Sequence, residues 1–109
     1  MSMERNALQN YRTEVVVIKT ATATLTPAQT NVKVDCSLGV AITITLPPVA
    51  LCRGKIFAIR QIEASASVTL KDDDKSSDWP GDITLNALHD RALLYADGEC
   101  WWILTDMYT

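Results

Sequence analysis

Two prolines set between two apolar runs constrain this chain more than any other feature. In Leu38–Ile62, LGVAITITLPPVALCRGKIFAIRQI, the residues Leu38, Val40, Ile42, Ile44 and Leu46 share one parity, while Gly39, Ala41, Thr43 and Thr45 share the other. That period of two belongs to a strand with one face in a core. Its threonine and alanine face is left to meet water or a neighbouring subunit. Pro47 and Pro48 lack an amide donor and have a fixed φ, so a strand ladder must end there. Arg53-Gly54-Lys55 supplies a turn before Ile56–Ile62 resumes the apolar pattern. The stretch predicts two strands joined as a β-arch or a hairpin.

The rest of the chain reads as further strands laid against this pair, giving an all-β fold. Glu14–Lys19 is β-branched and bracketed by charge, hence a strand, whereas Thr20–Leu25 is too weakly apolar to anchor a core. Thr26–Asn31 is a turn by its proline and asparagine, although Thr-Pro-Ala-Gln could also open one helical turn. Val32, Val34 and Cys36 alternate with Lys33, Asp35 and Ser37, which predicts a strand with one wet face. Glu63–Ser67 is a small-residue connection to a strand at Val68–Leu70; Ile83–Leu88 could begin a helix by its spacing, but a strand at Ile83–Leu85 followed by a turn over Asn86–Arg91 is favoured. Asp97-Gly98 between Ala92–Ala96 and Glu99–Leu104 is a two-residue hairpin signal. It sets Tyr95 opposite Cys100, Leu94 opposite Trp101, and Leu93 opposite Trp102. Both faces of that hairpin carry large apolar groups, so one is expected on the core and the other against a second subunit.

The boundaries expected are an arm over residues 1–13 and one domain over 14–109. Met1–Thr13 is polar apart from Met3, Leu8 and Tyr11; it reads either as a terminus without structure or as an arm that orders on a partner. The net charge is −3 and the ten Lys and Arg are scattered singly along the chain, which argues against nucleic-acid binding. No secretory signal and no apolar run of membrane-spanning length is visible, so the expectation is a protein made and left in a cytoplasm.

The search for chemistry yields little. The three cysteines Cys36, Cys52 and Cys100 show no Cys-x-x-Cys spacing and read as reduced, buried thiols rather than a zinc site completed by His89. Lys71–Asp82, KDDDKSSDWPGD, must be a surface loop. Its Asp72, Asp74, Asp78 and Asp82 invite a calcium reading, but the glycine and terminal glutamate of a helix-loop-helix calcium motif are missing, and Lys71 and Lys75 offset the charge. There is no phosphate-binding glycine loop, no Gly-x-Ser-x-Gly and no His-Glu-x-x-His. A nucleophile pair of His89 with a cysteine is the one hydrolytic alternative, in a turn where polar residues are expected anyway. Trp79, Trp101 and Trp102 could stack a sugar, although aromatics within apolar strands more commonly pack in cores or interfaces. No enzyme activity and no cofactor are expected.

From Asn31 to Leu104 the order of signals resembles a recurring module of tailed-bacteriophage virion proteins. The matching pieces are Val32–Asp35, Ile42–Pro47 (ITITLP), Gly54–Arg60 (GKIFAIR), Val68–Leu70 and Tyr95–Leu104 (YADGECWWIL). The resemblance implies an antiparallel β-sandwich or jelly-roll-like unit, a homotrimer and a structural role. With only a short segment ahead of the module, the chain looks more like a capsid cement or decoration protein than a fibre with a shaft. On that reading Met3, Leu8 and Tyr11 contact the major capsid protein, exposed members of Tyr95, Trp101 and Trp102 form the subunit interface, and the protein lies on the virion surface. The alternative is a fibre-tip or tail module that binds a host glycan through Asp74, Asp78 and Trp79.

Overall fold

The computed structural model describes residues 16–107 other than 64 and 80. It is nearly all β, with strands β1 (Val16–Lys19), β2 (Ala23–Thr24), β3 (Asn31–Asp35), β4 (Ile42–Thr45), β5 (Lys55–Glu63), β6 (Val68–Lys71), β7 (Ile83–Leu85), β8 (Arg91–Ala96) and β9 (Trp101–Met107). They form a five-stranded sheet in the order β1-β3-β5-β8-β9 and a four-stranded sheet in the order β2-β4-β6-β7.

Both sheets are mixed, which corrects the expectation of antiparallel pairing throughout. From β1 to β6 the chain alternates between the sheets, and each strand returns parallel to its predecessor in the same sheet: β1 with β3, β3 with β5, β2 with β4 and β4 with β6. Only the later pairs, β6 with β7, β5 with β8 and β8 with β9, are antiparallel. The physical reason lies in the connections. Leu46 N–H still donates to Lys71 O at 2.8 Å, and the ladder then ends at Pro47. A 3-10 turn at Val49–Leu51 carries the chain over to the other sheet, so β4 and β5 form an arch rather than a hairpin. One-sided alternation looks the same whichever way the neighbouring strand runs, so the residues alone did not decide the direction.

One buried cluster draws on both sheets, with Val32, Val34, Phe57, Ile59, Leu94 and Trp101 from the larger, and Ile42, Ile44, Val68, Leu70, Ile83 and Leu85 from the smaller. The inward parity expected over Leu38–Leu46 holds from Ile42 to Leu46 but not before it. Leu38 and Val40 are 77% and 65% exposed, because Gly39, at φ 74°, turns the chain after β3. Among the described residues before β3, Leu25 alone joins the core. Gln61, the one buried polar residue on β5, donates Nε2–H to Ala66 O at 2.7 Å and so ties down the connection to β6.

The last hairpin turns one residue later than expected. Ala96 pairs with Trp101 and Tyr95 with Trp102, while Asp97 N–H donates to Cys100 O at 3.2 Å, which centres the turn on Gly98 and Glu99. Asp97 causes the offset, since its Oδ1 accepts the N–H groups of Glu99 at 2.8 Å and Cys100 at 2.7 Å, and Gly98 takes the strained first turn position at φ 97°. The partners of Tyr95 and Leu94 thus move by two residues, to Trp102 and Ile103, which preserves strand parity, and that of Leu93 moves by three, to Thr105, across a bulge.

Candidate functional site

The outer face of the five-stranded sheet carries the exposed groups that need explaining. Register places Ile56, Tyr95 and Trp102 side by side across β5, β8 and β9. Ile56 is 51% exposed and Trp102 is 42% exposed, with Tyr95 half-buried between them. Leu104 is the extra residue of a bulge, since Leu94 pairs with Ile103 and Leu93 with Thr105, and it too is exposed. At the far edge β1 adds exposed Val16 and Ile18. Apolar groups on a wet sheet face are ordinary singly; a row of them across adjacent strands marks a surface that expects cover.

Trp102 is also held in place. Its Nε1–H donates to Asp97 Oδ2 at 2.8 Å, so the aspartate that sets the turn also orients the indole. That bond, followed by those from the Glu99 and Cys100 N–H groups, holds the Asp97 carboxyl below its ordinary range.

Of the three aromatic residues expected at a subunit interface, Tyr95 and Trp102 are neighbours on this face and Trp101 is not. Trp101 has no exposure at all; it points into the core and meets Phe57 edge to face, with ring centroids 5.2 Å apart. Neighbours in a strand face opposite ways, so one of two consecutive tryptophans had to be a core residue. Met3, Leu8 and Tyr11, with the arm over 1–13, lie outside the described residues.

A second feature of the same face was missed in the sequence. Lys33, Arg60 and Arg91 are direct partners across β3, β5 and β8, so three of the ten cations that looked scattered stand in one row. They line a shallow depression of about 340 Å³ together with Val16, Asn31, Ala58 and Leu93. No local spacing could reveal this, because residues 33, 60 and 91 meet only through strand pairing. Strand parity alone would have placed each on a wet face.

The acidic loop is pinned to the opposite end of the sheet. Trp101 N–H donates to Ser76 O, and Asp78 N–H donates to Trp101 O, each at 2.9 Å. Asp72 turns inward to accept from the backbone of Asp74 and Ser76, whereas Asp74 and Asp78 remain exposed. Trp79 packs partly against the core and borders a depression of about 340 Å³ with Lys71, Asp72, Lys75 and Asp82. Among the described residues, no three His, Cys, Asp or Glu side chains are placed to hold a metal ion.

The thiols are poorly prepared for nucleophilic work. Burial pushes Cys36, Cys52 and Cys100 up from the ordinary thiol range, and Asp97, Asp78 and Asp72 add to the effect at Cys100. His89 is exposed, in a left-handed conformation at φ 70°, with its backbone N–H donating to Gln61 O. No described helix is long and apolar enough to cross a membrane. Comparison with protein-family models, with curated proteins and with solved structures finds no match to this chain.

Proposed function

We propose that this chain is a structural protein of a bacteriophage virion, a homotrimer that binds the capsid surface as a cement or decoration protein and stabilises the shell against internal DNA pressure. The phage assignment rests on the order of sequence segments from Val32 to Leu104 that resembles virion modules. The structural observation that supports an assembling protein is the row Ile56-Tyr95-Trp102, apolar, exposed at both ends and fixed by the Asp97 bond. In this reading the two sheets are the layers of a sandwich, and the outer face of the larger layer is covered by the next subunit. A trimer would engage several capsid subunits at once, and such multivalency raises affinity without one tight contact. Binding only to the assembled shell then adds to the shell's stability by mass action.

The test is the copy number of the chain in purified virions, measured by peptide mass spectrometry against the major capsid protein. A ratio near that of the capsid protein is expected. A few copies per particle would instead favour a fibre-tip or tail accessory module, for which the loop depression beside Trp79, with Asp74 and Asp78 near it, is the place to look for a bound glycan. Absence from virions refutes both.

A further inference from the structure

We infer that the subunits of this assembly lock head to tail, with the cations Lys33, Arg60 and Arg91 of one copy receiving the aspartates Asp74, Asp78 and Asp82 of its neighbour. The inference rests on the homo-oligomer proposed above and specifies how its contacts are made.

Register carries the argument. Lys33 faces Arg60 and Arg60 faces Arg91 directly across neighbouring strands, where like charges destabilise a sheet unless something neutralises them. Neither Lys33 nor Arg60 makes a hydrogen bond or ion pair among the described residues, and Arg91 reaches only the His89 carbonyl at 3.4 Å. The row therefore concentrates positive charge over a depression, and no described carboxylate forms an ion pair with it.

The complementary charge exists elsewhere on the chain. Residues 71–82 hold five Asp against two Lys, a net of −3. Asp72 is occupied with its own turn and Asp73 pairs with Lys71 at 3.4 Å. Asp74, Asp78 and Asp82 are exposed, and their carboxylates accept no hydrogen bond among the described residues. Among the described residues, three carboxylates without a partner thus match three cations without an ion pair.

A copy's own acidic loop cannot reach its row. The loop is fastened at Trp101, which pairs with Ala96, itself opposite Lys55. Arg60 stands five residues further along β5, about 17 Å at strand spacing. Symmetry gives the same answer. A two-fold contact centred on the row would press three cations against three more, whereas a ring is built from heterologous contacts that join two different patches. A basic patch and an acidic patch at opposite ends of one sheet suit a closed ring. Opposite charges would orient the subunits as the apolar row beside them is covered.

Sedimentation velocity on the full chain tests this at about 50 and 500 mM NaCl, where screening lengths differ several-fold. Four proteins are compared: wild type, R60E/R91E, D74K/D78K, and the chain carrying all four reversals. Association of the wild type is expected to weaken at least about tenfold at the higher salt. Each two-site reversal should weaken it by about 10- to 100-fold at low salt, and the fourfold reversal should return it to within a few-fold of wild type. The milder R60Q/R91Q, with a thermal melt matching wild type, separates lost contact from lost fold. Restoration that fails, or association indifferent to every reversal, overturns the inference. If Y95S/W102S still dissociates such an indifferent oligomer, the assembly reading survives without it; a wild-type chain monomeric at millimolar concentration removes both. Arg60 and Arg91 resonances that saturate with inorganic phosphate or glucuronate, while loop reversal leaves association unmoved, would make the row a site for a soluble anion and overturn the contact between copies.

Discussion

Replacing Trp101 and Trp102 by alanine should have opposite consequences, although the two residues are adjacent. Trp101 is fully buried against Phe57, and truncating such an aromatic costs about 3–5 kcal/mol. Its indole N–H finds no partner among the described residues, and burying such a group costs about 1–3 kcal/mol that the mutant no longer bears. The expected cost therefore lies at the bottom of the range, about 3 kcal/mol, out of a total near 5–15 kcal/mol for a domain of this size. In melting temperature that is a fall of roughly 12–24 °C. Trp101→Phe retains an edge-to-face partner for Phe57 and discards the unpaired N–H, so it should cost about 1 kcal/mol or less. Trp102→Ala removes a half-exposed ring and should cost under about 1 kcal/mol in the isolated chain, while weakening self-association. Urea unfolding followed by far-UV circular dichroism, at a concentration where the chain is monomeric, measures all three; equal m-values would show that the unfolding transitions are comparable. A Trp101→Ala chain within about 1 kcal/mol of wild type, a third of the expected loss, would refute the placement of this ring in the core. So would a larger loss from Trp102→Ala.

Three further outcomes are expected. Asp97 has a folded pKa below its unfolded one, so its contribution is complete above the ordinary carboxylate range and disappears as pH falls through the lowered value; the melting gap between wild type and Asp97→Asn should therefore be present near neutrality and close in acid, and a gap that widens in acid would contradict it. Asp90→Ala leaves the N–H groups of Asn86 and Ala87, both bonded to Asp90 Oδ2 at 3.1 Å, without that acceptor, and should lower stability by about 1–3 kcal/mol in urea. Thiol labelling at neutral pH should be slow in the native chain, with half-buried Cys100 reacting before Cys36 and Cys52 and all three reacting quickly in urea; mass spectrometry that finds Cys36 or Cys52 modified first would contradict the burial.

Local signals accounted for where the strands are. The alternation in Val32–Cys36 and Ile42–Leu46, the break at Pro47, the apolar run after Gly54 and the polar loop before Ile83 each reappear as an element or an interruption. Strand direction was not legible, because it depends on which sheet a connection enters, and the Pro47–Leu51 crossover had to be seen in three dimensions. The offset of the last turn has a similar origin. Asp97-Gly98 suits a two-residue turn, but the Asp97 carboxylate recruits the next two amides and moves the centre forward. As for the candidate site, parity separated Trp101 from Trp102 without saying which one faced inward. The cationic row was invisible for a different reason, since it is assembled from three strands about thirty residues apart.

The two halves of the outer face set different requirements on whatever covers it. Ile56, Tyr95, Trp102 and Leu104 offer apolar area, which gains free energy against almost any dry surface and so discriminates poorly. Left alone, such a face on a sheet would invite indiscriminate association. Lys33, Arg60 and Arg91 on the same face change that, because a second copy laid face to face would have to bury or oppose like charges, and burying an unpaired charge is strongly unfavourable. The cations thus exclude the simplest self-contact and favour a partner with carboxylates in register. The Asp97 bond to Trp102 works in the same direction by fixing the largest apolar group before contact, which lowers the ordering cost at association. On this argument burial supplies the strength of the contact and the charged row supplies its direction. Charge reversal at Arg60 and Arg91 should then change which surfaces meet, whereas Trp102→Ala should change only how tightly they hold.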